Sequence, residues 1–340
     1  MAQTSTLTSA TSDPYYLYTV DLPALLPTAS DIESDHCLFN TLDLQWRKTG
    51  MLETLLPQSS SLTIPSAPYY APVVDLPAPL PTTAEIESSG EYMRDETYAT
   101  KVVAVGPHFV AKYGKWLNLE EGRMMMFIRQ QTRVPVPRVY ALYHDNGHNF
   151  IVMERIHGHT LKETWDTFDD PKKREIITHL KEYLREIRNV ESPAAYCSLD
   201  KGPLLHSIFR PSNNFCDNGP FDTEAEFNDA MIRKCCASEA LNNKGEFYQR
   251  VLPQVLHGHA PVLTHGDIQK KNIMIRPGPT VDIVLLDWES AGWYPTYWEY
   301  SNTIFASWFE NDWYRWVDDF LEPFPHEYAW FAMLEQEIGW

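Results

Sequence analysis

Apolar residues in the 340-residue chain fall into two kinds of run. Short, β-branched runs at 272–275 and 281–286 flank the breaker Pro277-Gly278-Pro279. Runs of that kind, separated by such a turn, read as an antiparallel hairpin. Thr100–Val105 and His108–Tyr113 read as a second pair, turned by Gly106-Pro107, and Asn149–Glu154 as a strand ending in a hinge beyond the stiff crossing Val134-Pro135-Val136-Pro137. Elsewhere the spacing is helical. Ile176, Ile177, Leu180, Leu184 and Ile187 make one stripe over 172–188, behind Pro171 and the acidic pair Asp169-Asp170, which is good first-turn chemistry. Further helices are expected at Thr83–Ser88, where Thr82 and Glu85 suit a capping box, from Leu117 to Gln130, and from Gly219-Pro220-Phe221-Asp222 through Ile232. Asn242–Gly245 reads as loop.

The hairpin at 272–286 carries chemistry. A turn centred between Gly278 and Thr280 sets Asn272 opposite Asp287, with Cβ atoms roughly 4.5–5.5 Å apart. A carboxylate and an amide oxygen emerging together suit Mg²⁺, which takes one or two carboxylates and fills its other positions with water and phosphate. A second carboxylate, Asp267, enters the same end from a Gly-containing loop five residues before Asn272. One acid is thus placed for a metal, and another is free to receive a proton. Taken singly, each residue is equally a turn cap. The three at this spacing point to an active site.

His265-Gly266-Asp267, Asn272 and Asp287, with Trp288-Glu289 after the second strand, resemble the catalytic loop of kinase-fold phosphotransferases, in the aminoglycoside phosphotransferase and choline kinase branch. The stretch 287–300 (DWESAGWYPTYWEY) is similar to fungal members. The resemblance implies an α+β, two-lobed protein-kinase-like fold, with a small β-rich N-lobe over 66–156 and a larger, mainly helical C-lobe over 157–340. It implies ATP and Mg²⁺ as cofactors, and transfer of the γ-phosphoryl group to a hydroxyl of a small molecule. The roles in the kinase template then fall on Asp267 as catalytic base, with Asn272 and Asp287 as metal ligands. Lys112, ending an apolar strand run, and Glu121, on the following helix with Met125 and Ile128 at i+4 and i+7, resemble the pair that fixes the α- and β-phosphates; Glu120 is the rival for register. Met153, Glu154 and Ile156 fall where the family holds adenine, although Met153 equally suits a core. No GxGxxG is present, and Ser88-Ser89-Gly90 is the one nearby candidate for a phosphate loop.

Composition narrows the partners. A net charge of −18 argues against a nucleic-acid backbone or an anionic membrane and is compatible with a cationic acceptor. Five cysteines without framework spacing suggest a reducing compartment, and vicinal Cys235-Cys236 lacks the CxxC partner of a metal site. The first cationic side chain is Arg47, and no apolar stretch reaches spanning length, so a cytoplasmic chain with no membrane partner is expected.

Eight of the eleven tryptophans lie from Trp288 onward, interleaved with Glu299, Glu310 and Asp312. An aromatic and acidic surface of that kind suits an amine; a helical core with solvated acids is the alternative. Glu299 is the acid expected to touch the acceptor, a helix-capping role being its alternative. Ser12–Ser34 recurs as Ser66–Ser88, so 1–65 is expected to be a duplicated, loosely ordered extension outside the folded unit. Two other functions compete. A protein kinase is opposed by Gly266 in place of Arg, by Trp288-Glu289 in place of Phe-Gly, and by the ten residues that separate Asp287 from Trp298. A catalytically silent nucleotide-binding or scaffold protein is favoured by the missing phosphate loop and opposed by the retained Lys, Glu, Asp, Asn and Asp.

Overall fold

Apolar, largely buried runs build an antiparallel sheet of five strands. In the computed structural model, which describes residues 63–93, 99–210, 217–238, 240–309 and 311–339, these are β1 (Tyr69–Tyr70), β2 (Lys101–Val105), β3 (Phe109–Gly114), β4 (Val139–Asp145) and β5 (His148–Glu154), in the order β1-β4-β5-β3-β2. The first copy of the repeat and Glu310 lie outside the described residues. Helix α1 (Thr83–Ser88) begins on the expected Thr82–Glu85 capping box and packs Ile86 with Phe109, Ala111, Tyr113 and Phe150 on one sheet face. Residues of opposite parity, Leu142 and Ile151, join Met124, Met125 and Ile128 of α2 (Glu120–Gln131) on the other. Period two therefore turns Lys112, between Ala111 and Tyr113, toward α2. Ile64 is buried in this same core, and the Ile64 and Pro65 carbonyls accept from Arg123, so the chain joins the fold before residue 66.

The remainder is mainly helical. It comprises α3 (Leu161–Thr164), α4 (Asp170–Arg188), α5 (Glu224–Cys236), α6 (Asn242–Val255), α7 (Trp298–Ala306), α8 (Trp313–Phe320) and α9 (Pro325–Ile338). Two small sheets sit among them, β6 (His159–Thr160) with β8 (Ile273–Ile275) and β9 (Ile283–Leu285), and β7 (Pro261–Thr264) with β10 (Gly292–Pro295). The side chain of Asp169 caps α4, and all five residues of its expected stripe are buried. Asn242–Gly245, expected as loop, instead forms the first turn of α6. Tertiary packing overrides weak local propensity there: Tyr248 and Leu252 are fully buried, and Gly245 lies so close to α5 that a Cβ would stand 2.4 Å from Cys236 Sγ. Among the described residues, no helix is long and apolar enough to cross a membrane.

Candidate active site

Lys112 on β3 is 3 % exposed and is the hub of the site. Its Nζ lies 2.8 Å from Glu121 Oε2 on α2, 2.7 Å from Asp287 Oδ1 and 3.5 Å from Glu289 Oε2. Glu120, the rival to Glu121, is occupied by Arg123 at 2.8 Å. Burial opposes the lysine charge, but the surrounding carboxylates outweigh it and raise its pKa above the usual range. Burial likewise opposes ionisation of Asp287, yet Lys112 holds its carboxyl below the ordinary value. The fully buried Glu121 carboxyl is pushed up to about 7 by burial, against the pull of Lys112.

The expected hairpin exists with its register moved by one residue. Ile273 faces Leu285 and Ile275 faces Ile283, which centres the turn on Pro279 and puts Asn272 beside Leu286, whose N–H donates to the Asn272 carbonyl at 2.8 Å. Asp287 therefore does not face Asn272; it lies one residue beyond. A shift of one residue alone would send its side chain to the other face. The left-handed backbone of Asp287, φ 63°, turns the chain instead, and the carboxylate meets Lys112. Aspartate tolerates that conformation better than most residues.

Asp267 and Asn272 form the neighbouring half. Asn272 Nδ2 donates to Asp267 Oδ2 at 2.7 Å and to the Asp267 carbonyl at 2.9 Å, leaving its oxygen as the group able to reach a cation. Lys271 Nζ lies 3.3 Å from Asp267 Oδ2, and Gln269 donates to Oδ1. His265 links the halves: Nε2 donates to the Leu286 carbonyl at 2.9 Å, while Nδ1 accepts from Asp267 N at 3.2 Å. Burial lowers its pKa, which matches a neutral ring with the proton on Nε2. Gly266 is required where the loop turns: φ is 80°, and a Cβ would meet the Ser290 carbonyl at 2.8 Å.

Glu299, expected at the acceptor, is 1 % exposed and lies beneath this loop. Its carboxylate accepts from His265 N at 2.6 Å and Gly266 N at 3.1 Å, and burial pushes its pKa up to about 7 against those two donors. A carboxylate so engaged does not reach a substrate, so the acceptor expectation is replaced by a scaffolding one. One turn on, Asn302 donates to the Gly266 carbonyl. Helix α7 thus holds peptide 266 by both ends.

At the hinge, Ile156 packs with Met274, Val284 and Leu286, an apolar wall between β5 and the β8–β9 hairpin. Met153 is half-buried against the main core. The Glu154 carboxylate accepts from Arg138 N at 3.2 Å and faces Arg276 at 3.6 Å, and its own N–H donates to the Arg138 carbonyl at 2.8 Å, so neither its carboxylate nor its amide is left for a ligand. Ser88 and Ser89 spend their hydroxyls on the Ala84 and Ala104 carbonyls. The Ser89 bond ties the end of α1 to β2, and the Ser88 bond stays within α1.

Much of the aromatic stretch is core. Trp288, Trp293, Trp298 and Trp313 are buried, whereas Trp308 is exposed. Its acid does hold an amine, but the amine is the chain's own: Asp312 accepts from Lys173 Nζ at 2.8 Å, Trp165 Nε1 at 2.6 Å and Trp316 Nε1 at 3.2 Å, with Lys173 5.0 Å from the Trp165 ring centroid.

Glu289, given no role by the sequence, completes the site. One carboxylate oxygen each from Glu121, Asp287 and Glu289 lie within 4.8 Å of one another. With all groups ionised, three carboxylates and one ammonium leave −3 + 1 = −2. An oxygen-only set with that excess fits a hard divalent cation such as Mg²⁺.

Fold and site together define a kinase-like phosphotransferase of the α+β, protein-kinase-like class. Residues 118–333 match the phosphotransferase enzyme family, and the chain belongs to that family. No curated protein matches the chain. Among solved structures it is similar to an aminoglycoside-3'-phosphotransferase of type VIII, at 14 % identity and TM-score 0.47 over 72 % of this chain and 93 % of that one. It is also similar to an ethanolamine kinase of Plasmodium vivax, at 13 % identity and TM-score 0.38 over 69 % and 64 % respectively.

Proposed function

We propose that the chain is an ATP- and Mg²⁺-dependent phosphotransferase that moves the γ-phosphoryl group to a hydroxyl of a small molecule. The observation that carries this reading is the buried Lys112, drawn at once to Glu121 on the sheet side and Asp287 on the helical side, with Asp267 and Asn272 beside them. Lys112, oriented by Glu121, holds the α- and β-phosphates. Asp287, Asn272 and Glu289 are the oxygen ligands for Mg²⁺, which supplies neutralisation of charge on the phosphates. Asp267 orients the acceptor hydroxyl and takes its proton as the oxygen bonds to the γ-phosphorus and the bond from that phosphorus to the β–γ bridging oxygen breaks, ADP being the leaving group. Positioning and electrostatic stabilisation are the main sources of rate in such a site.

A small acceptor is favoured over a protein by the ten residues after Asp287. Residues 292–295 of that stretch are buried as β10 on β7, which leaves no long exposed segment on which a polypeptide would dock. The net charge of −18 is compatible with a cationic acceptor, and cysteines without framework spacing favour a reducing setting. Mg-dependent stabilisation by ATP, and ADP release across a panel of aminoglycosides, choline, amino sugars and polyols, test the reading. Asp267→Ala should lose turnover by about 10³-fold with nucleotide affinity nearly unchanged. Absence of any MgATP-dependent thermal shift in the parent chain supports a silent scaffold instead.

A further inference from the structure

The face of the five-stranded sheet opposite Lys112 carries a column of aromatic rings that the proposed chemistry does not use. Tyr113 on β3, Phe150 on β5 and Tyr143 on β4 stand directly opposite one another. Tyr70 on β1 is diagonal to Tyr143, its own partner being Ala141. Opposed and diagonal neighbours on one face are within reach of aromatic side chains. The rings stack in that order. Centroids are 5.4 Å apart from Tyr113 to Phe150, 4.9 Å from Phe150 to Tyr143 and 5.8 Å from Tyr143 to Tyr70, with interplanar angles of 4°, 5° and 22°. Helix α1 lays Ile86 over this face. Tyr113, Phe150 and Tyr143 are buried, whereas Tyr70 is 57 % exposed. The column is thus covered along its length and open at its β1 end, where among the described residues no further ring packs on Tyr70.

A cavity of about 320 Å³ lies at that open end, at the small end of the range that ligand pockets span. Buried Ala141 and Val152 give it an apolar floor, and Tyr70, Tyr143, Thr83 and Asp145 wall it. The polar walls differ in what they have left to offer. Thr83 Oγ1 and the Tyr143 hydroxyl lie 3.4 Å apart and serve each other. His144, also on the rim, is engaged with Asn149 at 3.0 Å. The Asp145 carboxylate makes no hydrogen bond or ion pair among the described residues, and no lysine or arginine lines the cavity. A ligand therefore meets ring faces and an uncommitted anion. Tyrosine faces attract cations, as the carboxylate does, and a flat ring extends an offset stack at low cost.

We propose that this cavity is a second binding site, for a planar aromatic cation: the ring lies against Tyr70 and Tyr143 and prolongs their column, and the charged nitrogen faces Asp145. The site is on the side of the sheet away from Lys112, so it goes beyond the phosphotransferase reading and does not depend on it.

The test titrates the full chain with benzamidine, an aromatic cation, and follows the line width of its ring protons. Benzoate supplies the ring without the cation, and methylguanidinium the cation without the ring. Benzamidine is expected to bind with a Kd on the order of 1 mM, and the other two at least about tenfold more weakly. Tyr70→Ala removes the open ring, and Asp145→Asn removes the charge while keeping a turn-forming residue ahead of Asn146-Gly147. Each variant weakens benzamidine about fivefold with Tm within about 2 °C of the parent, since neither side chain is buried. Saturating MgATP leaves the benzamidine affinity unchanged. Parent-like binding in Tyr70→Ala or in Asp145→Asn overturns the proposal, and so does benzoate binding as tightly as benzamidine. Displacement by MgATP also overturns it, because the probe then sits in the acidic cluster around Lys112. If the parent chain shows no MgATP-dependent shift, the phosphotransferase reading fails by itself, and the two variants still decide this site.

Discussion

Two lysines of this chain sit among carboxylates, and they differ in what they leave over. Around Lys112 stand Glu121, Asp287 and Glu289, three acids for one base. Around Lys173 stand Asp312 and the rings of Trp165 and Trp316, one acid for one base, with both carboxylate oxygens hydrogen-bonded. The second arrangement is complete. It fastens α4 to α8 and asks for nothing more. The first has more carboxylates than its lysine pairs with, the excess that the proposed divalent cation would offset, and it joins elements from the sheet and from the β8–β9 hairpin. A buried ion pair is weak evidence of stability; an unbalanced one is better evidence of a site.

The largest effect should follow removal of Asp287. Asp287→Ala should abolish the Mg-dependent part of the ATP thermal shift, which for a parent chain at a hundredfold excess over Kd is about 2.7 kcal/mol, and lower turnover by about 10³-fold. In Mg-free buffer the same variant should unfold at nearly the parent temperature, because it sheds surplus negative charge. A large metal-free loss would mean that the cluster is a structural rivet like the other one, and the contrast would vanish.

Glu289→Gln is the sharper probe. Its carboxylate is 46 % exposed and stands at the edge of the cluster. As a ligand its loss should raise the Mg²⁺ concentration for half-maximal activity about tenfold, or about 1.4 kcal/mol, with less effect at saturating Mg²⁺. An unchanged Mg²⁺ dependence would make Glu289 a bystander of Lys112.

The same contrast explains what was legible in the sequence. Lys112 and Glu121 were readable because a strand run and a helical stripe fix which way each points. Asp267 and Asn272 were readable because five residues of loop determine their meeting. Asp287 was found as a residue but not as a geometry: its place follows from a turn centred on Pro279 and a left-handed φ, and neither is encoded in apolar spacing. Glu289 and Glu299 depend on tertiary contacts alone. One was overlooked, and the other was sent to the acceptor when its carboxylate faces two backbone N–H groups. The tryptophans and Asp312 were read as a surface for an amine or as core, and composition does not say that Lys173, 139 residues from Asp312 in sequence, already pairs with that acid. Helix α6 was missed because Asn-Asn-Lys-Gly is a poor helix start locally and becomes one only against α5.

Asp312→Ala tests the complete cluster. It leaves Lys173 and two indole N–H groups without their acceptor, so stability should fall by about 2 kcal/mol, a few degrees in Tm for a chain of this size. Turnover per folded molecule should stay unchanged. A loss of MgATP binding would show that the two clusters are not independent.

The smallest effect separates charge from hydrogen bonding within that cluster. Burial opposes ionisation of Asp312, but bonds from Lys173, Trp165 and Trp316 outweigh it and hold the carboxyl down at about 2 against an ordinary 3.8. Its folded value lies below its unfolded one, so the ionised folded form contributes stability that is complete above the ordinary value and is lost as pH falls through about 2. Because the side chain is 32 % exposed, screening trims the contribution to about 1 kcal/mol. Asp312→Asn keeps an oxygen for the indoles and removes only the charge. The urea midpoints of parent and variant should therefore be separated at pH 5 and converge toward pH 2, with the gap at pH 5 reduced by added salt. A gap that does not move with pH or salt would assign the fastening to the tryptophan hydrogen bonds. Lys173 would then be held by the ring of Trp165 rather than by the carboxylate, and charge balance would no longer be what distinguishes this cluster from the one around Lys112.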